Sequence, residues 1–505
     1  MTMTDFDPFG RQFFFGNDYH PAGQGGGTHD VINPATLARE GAIAMGTPEE
    51  AEDILRRARE AQREWGKLDE LTRAGYLHKV ADSIAANHEE AARLMVLEQG
   101  KPYPEATGEI ANVGGCFRYF AEMARDSGGM LPGTTQAGSF QFARHFPYGV
   151  SVHIVPYNFP ILLMCWTVAA SLASGNACVV KPSELTSLST LKFMENFRHL
   201  PAGLVSCITG GGETAQALIR SRQSDVVAFT GSVATAKKVN VACAEQLKPC
   251  IIEAGGSDPM IVSSEAPLDV AVAGATTAAF HLSGQICTST ERFYVHDAVH
   301  DQFVEGLADM ARKLRVGNGM EVSEIGPLVT EAARDKVVRL VDGAVADGAT
   351  LVCGGRVPPG RNTGWFYEPT VLTDVTPDMD IMREELFGPV AAICRVKSFE
   401  EALNNANDSE FGLGASLFTT SLEEAMEAYE RLEAGMVWVN NPLIDNDALP
   451  FGGWKNSGLG RELSRLGLDA FRQSKMGVID WKPKVQDWWY PYPDEWFGNT
   501  EGSRF

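Results

Sequence analysis

The sequence predicts an α/β protein with two doubly wound parallel sheets of Rossmann-like type and a small β extension. Three observations carry that prediction. From residue 149 onward, strand-like and helix-like segments alternate. A second alternating series runs from about 267 to 441. Between residues 129 and 150, GMLPGTTQAGSFQFARHFPYGV breaks the rhythm and reads as a hairpin projecting from the first unit. Short β-branched runs separated by helices of about ten residues or more are what a parallel sheet with crossover helices requires.

In chain order, GVSVHIV reads as a strand, 161–174 as a helix and ACVVK as a strand. A helix near 187–199 precedes the strand-like GLVSCI, and GETAQALIRS, DVVAFT, VATAKKVNVACAEQ and KPCIIE continue the alternation. The strands of the second series are ERFYVH, AAICRV, ASLFTT and GMVWVN. Two such units in one chain put a ligand-binding cleft between them. Phe159 to Val180 carries no charge and is long enough to span a bilayer. Pro160 begins it, Gly175-Asn176 interrupts it and no basic loop flanks it, so helix, turn and buried strand is the reading. The tail VQDWWYPYPDEWFG is rich in aromatics and proline. It is expected to pack on another subunit or on its own surface.

A length of 505 residues suggests two or more core-bearing subdomains, and 44% hydrophobic with 21% charged residues is ordinary globular composition. The net charge of −22, from 43 basic and 65 acidic side chains, repels phosphate backbones and argues against a nucleic-acid partner. No Lys/Arg cluster marks a membrane surface. Nine cysteines with irregular spacing and no CxxC pair argue against a disulfide framework and a thiolate metal site, and fit a reducing cytoplasm. The opening MTMTDFDPFG lacks the apolar run of a secretory signal.

Strand C-termini in such sheets face the ligand crevice. VPYNFP, Val155 to Pro160, ends the first strand; Asn158 there is either a turn residue or an amide aimed at a developing oxyanion. VVKPSE ends the next, where Lys181 and Glu184 are loop charges or ribose contacts. FTGS opens a helix at Gly231 and Ser232, a place that favours phosphate, although there is no GxGxxG and the TGGGE run is a weak signal. Glu253, in IIEAGG, is expected near the crevice and partly desolvated, which raises a carboxyl toward general-base range. HLSGQICTST holds Cys287 with no base beside it except His281, six positions upstream. Alone, such a Cys is most often a small buried hydrophobe.

Together these pieces give the chain a recognisable form. VPYNFP, KPSE, FTGS, EAGG, GQIC, EELFGPV and PFGGWKNSGLGRE occur in order, with thirty-four positions from Glu253 to Cys287. The sequence resembles the NAD(P)-dependent aldehyde dehydrogenase superfamily from Val31 to about Val478. The resemblance implies an aldehyde dehydrogenase-like fold: 1–128 and 149–253 as a dinucleotide-binding domain, 254–450 as a catalytic domain, and 129–148 with 472–505 as an oligomerisation hairpin and C-terminal tail. It implies Cys287 as nucleophile, Asn158 and the Cys287 N–H as oxyanion donors, Glu253 as deacylating base and Glu462 in proton relay. It places the cofactor on Val155, Pro156, Tyr157, Lys181, Ser183, Glu184, Gly231, Ser232, Glu385 and Phe387. NAD is expected over NADP, because a carboxylate at 184 accepts ribose hydroxyls and repels a 2′-phosphate. A homodimer or homotetramer is expected.

The departures are mild. Tyr157 replaces a commoner Trp, and Ala254 a commoner Leu. GGSDP after Glu253 also occurs among semialdehyde-oxidising members, yet Trp166 stands where those enzymes often place a carboxylate-binding Arg. Phe159, Leu163 and Trp166 share a helical face by spacing, where they either pack in the core or line a substrate tunnel. With Phe451 opposite and His281 either at a helix end or in the tunnel, they predict a broad apolar tunnel for an uncharged aromatic or aliphatic aldehyde. Succinate semialdehyde remains the alternative, and a CoA-acylating enzyme a weaker one because it usually lacks the deacylating glutamate. Asp445 and Asp447 are expected as solvated loop acids, the alternative being a place near the tunnel mouth where they would repel anions. A cysteine hydrolase would need a Cys–His pair, and a non-catalytic relative would be expected to have lost Cys287 or Glu253.

Overall fold

The computed structural model describes residues 5–23, 25–126 and 128–497; the expected tail beyond 497 lies outside the described residues. Two sheets dominate the chain. The first runs, edge to edge, Gly458–Leu459, Cys250–Ala254, Val226–Gly231, Val150–Ile154, Ala177–Lys181, Val205–Cys207, Gln12–Phe15 and Asp18–Pro21. Its five central strands are parallel, and antiparallel strands close both edges. Val150–Ile154 lies between strands reached in opposite directions along the sheet, so the crevice opens at its C-terminal end.

The second sheet runs Thr350–Cys353, Thr370–Thr373, Val390–Val396, Thr290–His296, Asp258–Val262, Gly414–Phe418 and Met436–Val439. It is parallel except at Thr350–Cys353. Its first strand, Asp258–Val262, precedes the start that the sequence rhythm predicts. The proline and serines around it hide a run buried on both faces.

The charge-free stretch resolves into the helix Leu162–Ala173 and the strand Ala177–Lys181. Every helix residue from Leu163 to Ala173 is buried, packed between the sheet and the helices Glu70–Ala86 and Tyr103–Asp126. Its lack of polar residues therefore reflects an interior layer. Among the described residues no helix is long and apolar enough to cross a membrane. The expected helix near 187–199 is Ser187–Phe193, tightening to a 3₁₀ turn over Met194–Phe197.

Both sheets belong to one compact unit, residues up to Asp126 and Pro147–Arg472. Ser127–Phe146 and the chain after Arg472 make a second. There the expected hairpin differs from expectation. Met130 and Ala143 form an isolated bridge, but the long strand Ser139–Pro147 pairs with Arg472–Asp480 from the tail. Strand partners that far apart in sequence leave no local turn signal to read. Gln136 donates from Nε2 to Gln486 Oε1 at 2.5 Å.

Candidate active site

A cavity of about 750 Å³ opens where the central strands of the first sheet end. The turn after Val150–Ile154 contributes Val155, Pro156, Tyr157 and Asn158, and Leu163 follows from the helix. The end of Ala177–Lys181 contributes Lys181, Ser183 and Glu184. Gly231 and Ser232 come from the turn into the helix Val233–Ala244, where the Ser232 side chain accepts from the Thr235 N–H. Glu385, Phe387 and Cys287 arrive from the other sheet's loops.

The cavity could hold a dinucleotide. A capped helix N-terminus favours a pyrophosphate, and Glu184 offers a partly exposed carboxylate to hydroxyl groups. Lys181 Nζ lies 4.0 Å from Glu184 Oε2 and donates to the Pro182 carbonyl at 2.8 Å. Burial lowers the Lys181 pKa. Gly255 packs against the Glu385 carboxylate, so close that any Cβ there would collide with it.

Several lining residues escape sequence reading. Gly211 and Gly212, from the TGGGE run read as weak, line the cavity, as do Lys238, Ala333 and Lys336. Glu291, deep in the strand Thr290–His296, accepts the Leu386 N–H at 2.8 Å and the Phe387 N–H at 2.6 Å. It thereby holds Phe387 at φ 55° and the Phe387 ring 6.0 Å from that of Tyr157. Burial, with Glu385 beside it, pushes Glu291 up to about 8. A lone Glu inside an apolar strand gives no signal of such a role.

Cys287 sits on a strained loop. Leu282 and Ser283 take φ values of 53° and 57°, uncommon for residues with side chains. Buried Gln285 fastens the loop, donating to the Leu282 carbonyl at 3.2 Å and accepting the Val329 N–H at 3.0 Å. Gly256 permits the approach from below, because a Cβ there would stand 2.5 Å from the Cys287 carbonyl oxygen. The Cys287 thiol is pushed well up by burial, then by the charges of Asp258, Asp445, Glu253 and Glu385. The Asn158 amide, on a residue 2% exposed, makes no hydrogen bond among the described residues.

Glu253 is fully desolvated rather than partly so. Gly452, Gly453 and Gly458 close over its carboxylate, and Gly453 donates its N–H to Oε2 at 3.2 Å. Oε1 is buried without a partner among the described residues. Both oxygens of Glu462 are likewise orphaned, the Thr230 hydroxyl lying near without hydrogen-bond geometry. Burial and the neighbouring Glu462 charge raise Glu253 well above the ordinary range, and burial raises Glu462.

The predicted tunnel is corrected in three places. Trp166 and Phe451 do not face each other across a broad channel: their rings are in contact, centroids 4.9 Å apart, and both are buried. Phe159 precedes the helix that carries Leu163 and Trp166, and packs over the Lys101 ammonium at 4.6 Å. His281 caps the helix Leu268–Phe280, its Nδ1 3.1 Å from Glu105 Oε1, in a separate groove with Thr276 and Met320. Asp445 keeps access to solvent, yet the protein packed around it and nearby Asp447 raise it to about 7. It is not a freely solvated loop acid.

Residues 21–476 match the aldehyde dehydrogenase family. The chain belongs to that family. The enzyme is therefore an oxidoreductase acting on an aldehyde group. It is 36% identical over 477 residues to the chloroplastic aminoaldehyde dehydrogenase of Arabidopsis thaliana, covering 92% of this chain and 95% of that one. It is 36% identical over 461 residues to the betaine aldehyde dehydrogenase of Brucella anthropi, covering 89% and 94%. The structure of betaine aldehyde dehydrogenase from Staphylococcus aureus in complex with NAD+ superposes with a TM-score of 0.91 at 31% identity, covering 95% of this chain and 97% of that one. An NAD+ complex of aldehyde dehydrogenase from Bacillus cereus gives 0.90 at 34% identity, covering 93% and 96%.

Proposed function

We propose that the enzyme oxidises an aldehyde to its carboxylic acid with NAD, through a thioester on Cys287, and that it favours aldehydes bearing an ammonium group. The observation that carries the first part is the meeting of Cys287 and Asn158 on the wall of one cavity of about 750 Å³ at the strand ends. When bound, NAD supplies the acceptor for the hydride that leaves the aldehyde carbon. The first sheet and its loops then form the dinucleotide-binding domain, and the second sheet the catalytic domain.

The chain's own residues do the rest. Cys287 sulfur adds to the carbonyl carbon, forming a thiohemiacetal whose oxyanion is held by the Asn158 amide and the Cys287 N–H. Because the thiol is raised, its proton must leave as sulfur attacks, and Glu253, whose charge acts on that thiol and whose Oε1 has no partner among the described residues, is the base given that role. After oxidation the thioester carbon is attacked by water. Glu253 takes that water's proton and Glu462 relays it onward. Glu184 and the helix at Ser232 hold ribose and pyrophosphate, which supports NAD over NADP.

The expectation of an uncharged substrate gives way to a cationic one. Asp445 is near enough to act on the Cys287 thiol, and Asp447 on Tyr119 and Cys116. Tyr157, which lines the cavity, adds an aromatic face, and such faces attract ammonium groups by about 0.5–2 kcal/mol. The named relatives act on betaine aldehyde and aminoaldehydes. The same acids disfavour succinate semialdehyde, as the missing Arg at 166 already implied.

The test is kcat/KM for betaine aldehyde, hexanal, benzaldehyde and succinate semialdehyde, with Cys287→Ser as the inactive reference. The cation should lead hexanal by roughly tenfold, and more so above pH 7 as Asp445 ionises. Asp445→Asn should narrow that lead. A lead for the semialdehyde would sink the cationic reading, and substantial turnover by Cys287→Ser would sink the mechanism.

A further inference from the structure

The amide of Asn158 is free, but its backbone is gripped. Lys101 Nζ donates to the Asn158 carbonyl at 2.5 Å and to Glu109 Oε2 at 2.6 Å. Glu109, from the helix Tyr103–Asp126, turns its other oxygen to the chain just beyond. Oε1 accepts the Ile161 N–H at 2.9 Å and the Leu162 N–H at 3.0 Å, where the helix Leu162–Ala173 begins. The Lys101 ammonium also faces the Phe159 ring. One ion pair thus touches Asn158, Phe159, Ile161 and Leu162.

Both charged side chains have no exposed surface. Burying such a pair is expensive, and an apolar pair of similar volume often serves stability as well or better. A stability role therefore explains the pair poorly. A geometric role explains it well. Turning the Asn158 backbone would swing its side chain by ångströms, and reaction rates are steeply sensitive to misplacement on that scale.

We propose that Lys101 and Glu109 are positioning residues for aldehyde oxidation, clamping the turn Asn158–Leu162 so that the Asn158 amide is held where the oxyanion forms. The proposal rests on the role given above to Asn158. Glu109 fixes the start of the helix and Lys101 fixes the carbonyl of residue 158, which lines the cavity. Neither Lys101 nor Glu109 lines that cavity, so both act through Asn158.

The test uses the full-length enzyme with NAD and betaine aldehyde, following the first-turnover burst of reduced cofactor. Lys101→Met with Glu109→Gln removes both charges together while the glutamine oxygen continues to cap the helix. The burst should slow by about tenfold or more, approaching the roughly hundredfold expected when an oxyanion donor is lost. NAD affinity, read by fluorescence quenching, should be unchanged. The same double change placed on Asn158→Ala should have no further effect, because the group being positioned is already gone.

Equal slowing in both backgrounds overturns the clamp, as does an unchanged burst in the first. If the Met/Gln pair does not fold, Lys101→Gln with Glu109→Gln takes its place under the same two readings. A burst that Asn158→Ala leaves untouched overturns the role of Asn158 and the clamp with it, and is distinguished by that single variant.

Discussion

Lys101 with Glu109 and Glu253 with Glu462 are two buried pairs of ionisable side chains, and the protein treats them in opposite ways. The first pair is of opposite sign, and its ammonium and both carboxylate oxygens have hydrogen-bond partners. The second is of like sign, and three of its four oxygens have none among the described residues. A satisfied pair has no reason to exchange protons and serves as a fixture. An orphaned like-charged pair is costly to ionise twice, so its protons are poised to move. Burial alone does not distinguish the two pairs; hydrogen-bond satisfaction does.

The comparison is broken most severely at Glu253. Glu253→Gln is expected to release one equivalent of reduced cofactor per active site and then stall, with steady turnover down about hundredfold or more. Rapid-mixing absorbance traces followed by steady-state rates would read both phases. Unchanged steady turnover would move water activation to Glu462.

Stability should respond in the opposite order. Lys101→Met alone leaves the Glu109 carboxylate buried and unpaired, at a cost of about 3–5 kcal/mol. Glu253→Gln removes a carboxylate that the fold disfavours when ionised. A carboxyl raised in the folded state contributes stability at low pH and loses it as pH rises through its folded value. Glu253→Gln should therefore match the parent Tm in acid and exceed it at alkaline pH. A Tm loss as large as that of Lys101→Met would erase the distinction between the pairs.

The finest test is Glu462→Gln. Its negative charge raises Glu253, so removing it lets Glu253 ionise at lower pH. The rising limb of the deacylation rate should move to lower pH by up to about one pH unit. A limb that stays in place would show the two carboxylates to be uncoupled.

Much of this site is legible in the sequence because it lies at strand ends. Asn158, Lys181, Gly231 and Glu253 each close a β-branched run, and the alternation alone points them at one crevice. Glu385 and Phe387 came instead from the motif EELFGPV, whose place in the crevice no periodicity shows. Lys101 and Glu109 were illegible for a different reason. They stand in ordinary helical territory, and their meaning lies in hydrogen bonds to a backbone about fifty residues away. The tunnel failed for a third reason: Trp166 and Phe451 were correctly read as apolar, but sequence cannot say whether two rings face a void or each other.

The acidic surroundings of Cys287 have one more consequence. Peroxides, alkylating agents and soft metal ions consume thiolate, not thiol. Burial and four neighbouring carboxyl groups push this thiol up, toward its protonated form. Under the proposed mechanism the resting enzyme would carry its nucleophile in a form that oxidants attack slowly, its proton leaving only as sulfur attacks an aldehyde. On the proposed reading, the carboxylates that favour a cationic aldehyde would also lengthen the life of the enzyme in an oxidising solution.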